Sequence, residues 1–424
     1  MTTASAQERQ VTFSAKNHCL DNNDNYSKDG RFLCYDTRGT KEPPIGHCTT
    51  IEKVEIATGK ETVLYRTTPG LVGEVPYPGV GAVSYSPVED KVIFIHGPLA
   101  EEVAQRGPYA KNNRTGAEVA ADGSGAISWP DKRDIETSRD TLPGAHRGGT
   151  HRHEYTADGA RVGFTYDDFL LPQYQRTIAY MERHPKAPAG ATHYFAVLVP
   201  VVPKGTAKPG EFEMALGDSW VGRNGQMRAF VGTIREEDGS YKDSLFVVEI
   251  PADVDITTAD SGSATRFPAP PKGIRIRRLT HNNVTGIARG SLDGMHIAYC
   301  VKGEDGLMQA FIIPSDGSDQ AADPAKRPMQ ATHFAQGADS GPRWHPSGDR
   351  ILCVSHGGIA VTDVRPGANF GKTAFLTDEG EGVRRQDLVI APDGKSIAYS
   401  KPIPAGDGPA GAGYTQIFVM ALPG

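Results

Sequence analysis

A seven-bladed β-propeller is the fold this chain predicts, and three observations predict it. A short phrase, a turn built on Asp-Gly or an equivalent followed by an alternating apolar strand, recurs seven times along the 424 residues. Its register marks, Gly30, Asp90, Gly159, Gly225, Gly294, Gly348 and Gly394, lie 60, 69, 66, 69, 54 and 46 residues apart. A four-stranded blade needs roughly 40 to 50 residues, so each interval holds one blade, with insertions in the first half. The 49 glycines and 31 prolines supply the many turns that such a sheet-only architecture demands.

Taken in order, the elements support one domain over 1–424. The blades divide at approximately 16–70, 71–147, 148–217, 218–281, 282–334, 335–378 and 379–424, the last completed by 9–15. In each, Asp-Gly gives the positive φ of a tight hairpin, and the strand after it alternates, as in Arg161, Val162, Gly163 and Phe164. Third strands follow as CTTIEKVEI, HYFAVLVPVV, SLFVVEI, MQAFIIP, GIAVTDV and YTQIFVMAL, all β-branched or aromatic. The seventh copy ends just after its third strand, while RQVTFSA (9–15) is a spare strand at the start. That segment is expected to close the last blade and remove its open edge.

Two stretches interrupt the rhythm, 98–147 and 169–192. Within the second, QYQRTIAYMERH reads as a short helix before Pro185. Insertions on a repeat scaffold map to loops on one face, often the binding face.

A net charge of −6 argues against nucleic acid as a partner. No run of 18 apolar residues exists to insert in a membrane, and the opening MTTASAQERQ lacks the apolar stretch of a signal peptide. The simplest expectation is a cytoplasmic monomer; a leader removed earlier would make it periplasmic or secreted. The five cysteines lack C-x-x-C spacing, and Cys34, Cys300 and Cys353 sit on alternating strands as small apolar groups. Asn25, Asn113 and Asn283 fit the glycosylation triplet. Phosphate-loop, dinucleotide-fold, zincin and α/β-hydrolase motifs are absent.

In a propeller the first strand of each blade lines the channel and the second returns to the starting face. Residues before each turn phrase and after each second strand should therefore meet on one rim, and they are rich in chemistry. AHRGGTHRHEY (145–155) is the densest. On a strand, His151 and His153 share one face about 7 Å apart. They can bind a divalent metal with His281, His333 or Asp339, or serve as general base beside an anion-neutralising arginine. They can equally be polar lining bonded to backbone and water. His96 ends a strongly apolar strand before Gly-Pro. Tyr166 is a candidate proton donor, and the adjacent carboxylates Asp167 and Asp168 suit a cation, sugar hydroxyls or a simple turn. Arg343, Arg384 and Arg385 can clamp a carboxylate.

The phrases CYDTRGT…IEKVEIATGKETVLY, GVGAVSYSPVEDKVIFIHGP, AHRGGTHRHEYTADGARVGFTYDD, ATHYFAVLVPVVP and GDSWVG resemble a group of TolB-like propeller proteins of unknown function, over nearly the whole chain. That group is similar to propeller polysaccharide lyases, among them oligogalacturonate lyases and L-rhamnose-α-1,4-D-glucuronate lyases. The resemblance implies a rim histidine and a central cation, Ca²⁺ or Mn²⁺, acting on an anionic oligosaccharide or polysaccharide. His153, Glu154 and Tyr155 are similar to the His-Glu-aromatic phrase of the oligogalacturonate lyases. Their paired metal-binding histidine phrase is missing, since RWHPSG carries only His345.

Uronate elimination requires a base for the proton α to the carboxylate, a cation for the developing charge and an acid for the leaving oxygen. His96, His151 and His153 are the acid/base candidates. Arg38, Arg152, Trp220, Arg343 and Arg384 are the substrate-binding ones. A non-catalytic TolB-like scaffold binding a protein or small ligand across the same funnel is the alternative, and a propeller hydrolase is a third.

Overall fold

The structure, a computed structural model, describes residues 7–21, 24–39, 44–380, 382, 384–403 and 413–423. Seven antiparallel sheets follow one another in sequence order, which is the predicted seven-bladed propeller. Inner strands are Val80–Tyr85, Gly149–Tyr155, Phe212–Val221, Thr285–Gly290, Arg343–Trp344 and Gln386–Ile390 in blades 2 to 7. In blade 1 the inner position falls to Cys19 and Tyr26, which bridge to Asp36 and Leu33. The fourth blade begins at Phe212, ahead of the expected boundary, because its first two strands make a long ribbon of 10 and 9 residues.

Packing between blades supplies the core. One cluster joins blades 3 and 4 through Phe164, Tyr166, Phe195, Phe230 and Phe246. Smaller clusters fill the other gaps, each combining alternate residues of two neighbouring sheets. Burial of this kind is the driving term, since each fully buried aliphatic or aromatic side chain contributes about 1.5–3 kcal/mol. The cysteines at 34, 48, 300 and 353 are buried free thiols.

The insertions differ in part from expectation. Residues 177–183, expected as helix, form the third strand of blade 3, paired with Arg161–Asp167 on one side and His193–Val197 on the other. Both faces of TIAY are buried between neighbouring sheets, so tertiary pairing overrides the weak helical pattern. HYFAV is consequently the fourth strand. Thr115–Ala120 and Ile127–Ser128, inside the supposed 98–147 insertion, are the outer strands of blade 2, with a short helix, Ala100–Arg106, before them. Asn25 and Asn113 of the glycosylation triplets are buried, whereas Asn283 is exposed.

Closure runs through the N-terminus as expected. Arg9 and Gln10 pair with Val419 and Phe418, and the Val11 amide donates to the Ile417 carbonyl at 2.9 Å. Thr12 Oγ1 donates to Gln416 Oε1 at 2.7 Å. Arg385 grips Glu8 with both Nε and Nη2, at 2.7 and 2.8 Å, and Tyr399 Oη donates to the same carboxylate at 2.6 Å. The Arg385 bonds are the main reason the Glu8 carboxyl is held down to about 2 from 4.5.

Two predictions follow from this clasp. Deleting residues 1–15 exposes the edge of Thr415–Ala421, so the truncated protein should self-associate in size-exclusion chromatography and melt lower. A monomer with unchanged melting would contradict the closure. Glu8→Gln should cost about 1–3 kcal/mol at neutral pH. Because the folded-state value is depressed, Glu8 stabilises fully above pH 4.5 and loses that contribution as pH falls through about 2. The gap between wild type and Glu8→Gln should therefore close on acidification from pH 5 to 2, as read by denaturant melts; a pH-independent gap refutes the assignment.

Candidate functional site

The inner strands are bent where they approach the axis. In blades 2, 3, 4, 5 and 7 the register with the second strand slips in the middle of the inner strand. Each slip contains a residue in the left-handed region: Ala82, Arg152, Gly217, Gly286 and Asp387, at φ 53, 60, 63, 78 and 56°. A bulge bends the strand and re-aims its side chains. Arg152 and Asp387 hold this backbone without being glycine, which is a strained arrangement of the kind that clusters at functional sites.

Beyond the bulges the inner strands end around a cavity of about 400 Å³ lined by all seven blades. Asp24, Tyr26, Tyr85, Glu154, Tyr155, Trp220, Arg289, Arg343, Trp344 and Val389 are among its walls. It lies at the end where inner strands finish and the turns begin, opposite to the predicted rim. Glu154, Trp220, Arg289 and Arg343 each precede their register glycine by 5 residues, so one repeat position supplies four of the residues in its wall.

Charges in the channel fall into two groups. The first is bonded internally. Arg228 donates Nε to Asp218 at 2.5 Å and Nη1 to Glu154 at 2.8 Å, with its guanidinium 4.6 Å from the Trp220 ring. Glu154 also accepts the Trp220 amide at 3.2 Å, and Trp220 Nε1 donates to the Glu154 carbonyl at 2.9 Å. Arg38 bridges Asp36 and Asp21 at 2.8 and 2.9 Å.

The second group lines the cavities. Arg289 is 5% exposed, and its guanidinium makes no hydrogen bond among the described residues. Burial, then the neighbouring Arg343 and Arg152, pushes it well below the usual arginine range. Arg343 donates Nε to the Leu388 carbonyl at 2.9 Å and is lowered to about 10, by burial first and Arg152 second. Asp24 lines the same cavity; burial and then Glu154 raise it to about 7. Asp387 is raised to about 7 as well, by burial and then Asp21, in a smaller cavity of about 240 Å³ with Cys19, Asp21, Arg38 and Thr415.

The histidines are placed differently. His96 is fully buried, with Nε2 2.9 Å from Tyr65 Oη, Nδ1 2.6 Å from the Gly97 carbonyl and the Trp129 ring against it. His153 is fully buried between blades 2 and 3, with Nε2 3.0 Å from Thr150 Oγ1. It fits because residue 116 is glycine: a Cβ there would stand 2.9 Å from Nε2. Burial lowers both to about 4. The expected shared face of His151 and His153 is broken by the bulge at Arg152, which turns His153 into the interblade layer. His151 stays half-buried near the axis with Nδ1 unbonded, and burial, then Arg114 and Arg176, keeps it well below the usual histidine range.

Tyr166, expected at the rim, is fully buried and donates to Asp168 at 3.0 Å, while Arg147 holds the same carboxylate at 2.9 Å. Burial raises the Tyr166 hydroxyl well above the tyrosine range. Of the expected metal ligands, His281 bonds Asp319 at 2.8 Å, His333 contacts Gln330 at 3.1 Å and Asp339 accepts the Gly357 amide at 2.8 Å. Each is engaged separately, and among the described residues no three His, Cys, Asp or Glu side chains are grouped to hold a metal ion. Arg384 is exposed, whereas its neighbour Arg385 belongs to the N-terminal clasp. Asn22, Asn23 and Val383, parts of the predicted rim segments, lie outside the described residues.

Comparison with known proteins agrees with this architecture. The ring is similar to a prolyl endopeptidase structure, with TM-score 0.51 at 13% identity over 98% of this chain and 51% of that one. It is also similar to the putative TolB from Agrobacterium tumefaciens, with TM-score 0.41 at 15% identity over 86% of this chain and 95% of that one. Residues 79–187, the stretch from the inner strand of blade 2 to the third strand of blade 3, match the family described as protein of unknown function (DUF3748). The uncharacterized protein YidR of Escherichia coli strain K12 is 30% identical over 423 residues, covering 92% of this chain and 94% of YidR. The chain therefore belongs to the YidR family, here seen as a seven-bladed β-propeller with a charged central channel.

Proposed function

We propose that this propeller binds a carboxylate-bearing sugar, of the uronate class, in its central channel and cleaves it by β-elimination. The observation that carries the reading is the meeting of Arg289 and Arg343 with Trp220, Trp344 and three tyrosines around one cavity. Guanidinium groups in a desolvated pocket hold a carboxylate far more strongly than they would in water. Aromatic walls suit the apolar faces of a sugar ring. Arg152 extends the positive wall deeper along the axis.

With the sugar carboxylate neutralised by arginine, the proton α to it becomes acidic enough for a neutral imidazole to remove. His151 is the candidate base, beside Arg152 and outside the cavity wall. Among the described residues its Nδ1 has no partner, and burial, then the arginines around it, favour the neutral, proton-accepting form. His96 is committed to a hydrogen bond with Tyr65 of blade 1, and His153 to one with Thr150 of its own strand.

That same commitment favours one second reading, a ligand-binding scaffold without turnover. The two are separated by incubating the protein with a panel of uronate oligosaccharides, with and without Ca²⁺ or Mn²⁺. Release of unsaturated product is followed by its ultraviolet absorbance. Wild type should generate product. His151→Ala should lose about 10²- to 10⁴-fold in rate while keeping affinity. Arg343→Met should weaken affinity. Binding without product from any uronate glycan establishes the scaffold, and no binding at all overturns both.

A further inference from the structure

The cavity contains an arrangement that the uronate reading does not itself require. Arg289 is buried and presents an unbonded Nη1 at the cavity wall, and Arg343 stands beside it from the next blade. Two neighbouring guanidiniums, Arg289 buried and Arg343 half-buried, repel each other, and an anion between them relieves that repulsion. Asp24 is on the same wall. A carboxylate there would oppose any incoming anion, whereas a carboxylic acid would donate a hydrogen bond to it.

We propose that this end of the channel is a proton-coupled anion site, in which Arg289 and Arg343 hold the ligand's carboxylate and Asp24 sits beside it as the neutral acid, so that binding takes up one proton. The proposal deepens the uronate reading and rests on it for the identity of the anion. The proton comes from solvent and resides on a carboxyl oxygen of Asp24; no other bond changes.

The groups facing Asp24 come from several other blades. Glu154 from blade 3 has its carboxylate bonded by Arg228 of blade 4 and the Trp220 amide. Arg289 and Arg343 from blades 5 and 6 are the cations that the ligand would share. Tyr85 of blade 2 donates its backbone N–H to the Asp24 carbonyl at 2.6 Å, and Lys28 and Arg223 stand further out at the mouth. With these neighbours Asp24 rests at about 7, so an added negative charge nearby tips it to the protonated form.

Calorimetry with digalacturonate, in buffers of different ionisation heat, tests this directly. At pH 8 the wild type should take up close to one proton on binding. Its affinity should be level below pH 6 and fall about tenfold per pH unit above 7. Asp24→Asn, or Asp24→Ser should the first fold poorly, should abolish the uptake and flatten the profile. Arg289→Met should weaken binding at least tenfold at every pH. Binding without proton uptake, or uptake that survives loss of Asp24, overturns the proposal. If digalacturonate does not bind, inorganic sulfate is the second probe. Sulfate bound with Asp24-dependent uptake sustains the site and sinks the uronate reading; neither anion bound sinks both.

Discussion

Seven blades must bring their inner edges to one axis, and the crowding this imposes is the constraint on which the rest of the molecule depends. Any polar side chain at a repeat position facing the axis meets its counterparts from other blades, out of reach of bulk water. Charges that would be ordinary on a surface become consequential there. Arg228, Asp218 and Glu154 are satisfied by one another, whereas Arg289 and Asp24 are displaced from their ordinary ionisation by desolvation and by neighbours contributed by distant parts of the chain. The bulges add to this by bringing Arg152 and Asp387 toward the axis at a cost in backbone strain.

The same geometry accounts for what could be read from the sequence. The turn phrase carries its own physics, positive φ at the glycine and alternation after it, so blade number and the hairpin at each turn were legible without any tertiary information. The clasp was legible too, because a surplus strand at one end matched a missing strand at the other. TIAYMER was misread because its pattern is compatible with a short helix, and only pairing on both edges fixes it as a strand. The site was half legible. Of the residues lining the cavity, Trp220 and Arg343 were picked out on inner strands, but attention to the starts of those strands left out Arg289 at the end of one. Counting back 5 residues from each register glycine would have found Glu154 and Arg289.

Histidine density was the misleading signal. Histidines near strand ends were expected to stand free at the rim, but the insertion after His96 folds back and covers it with Trp129. His146 is likewise buried, within 3.1 Å of Thr115 Oγ1 and 2.9 Å of the Gly148 carbonyl. A neutral imidazole joins a donor and an acceptor in one flat, partly apolar ring, which suits the seam between two sheets where backbone groups are left unpaired. Sequence shows the residue type and its strand, but not whether a later segment closes over it.

A structural role alone does not account for the channel arginines. Buried ion pairs are at best neutral for stability relative to apolar replacements, so a guanidinium kept in the interior is normally surrounded by acceptors, as Arg147 is by Asp168 and the Ser263 carbonyl. Arg289 departs from that pattern within the same molecule, with an unbonded Nη1 at the wall of a cavity. Nothing in the propeller's closure uses it: the blades are held by the apolar clusters between them and by the N-terminal strand. Leaving a buried donor without an acceptor costs about 1–3 kcal/mol, more for a charged group. A cost of that size, borne where all seven blades face a common cavity, is the observation that supports the proposed anion site.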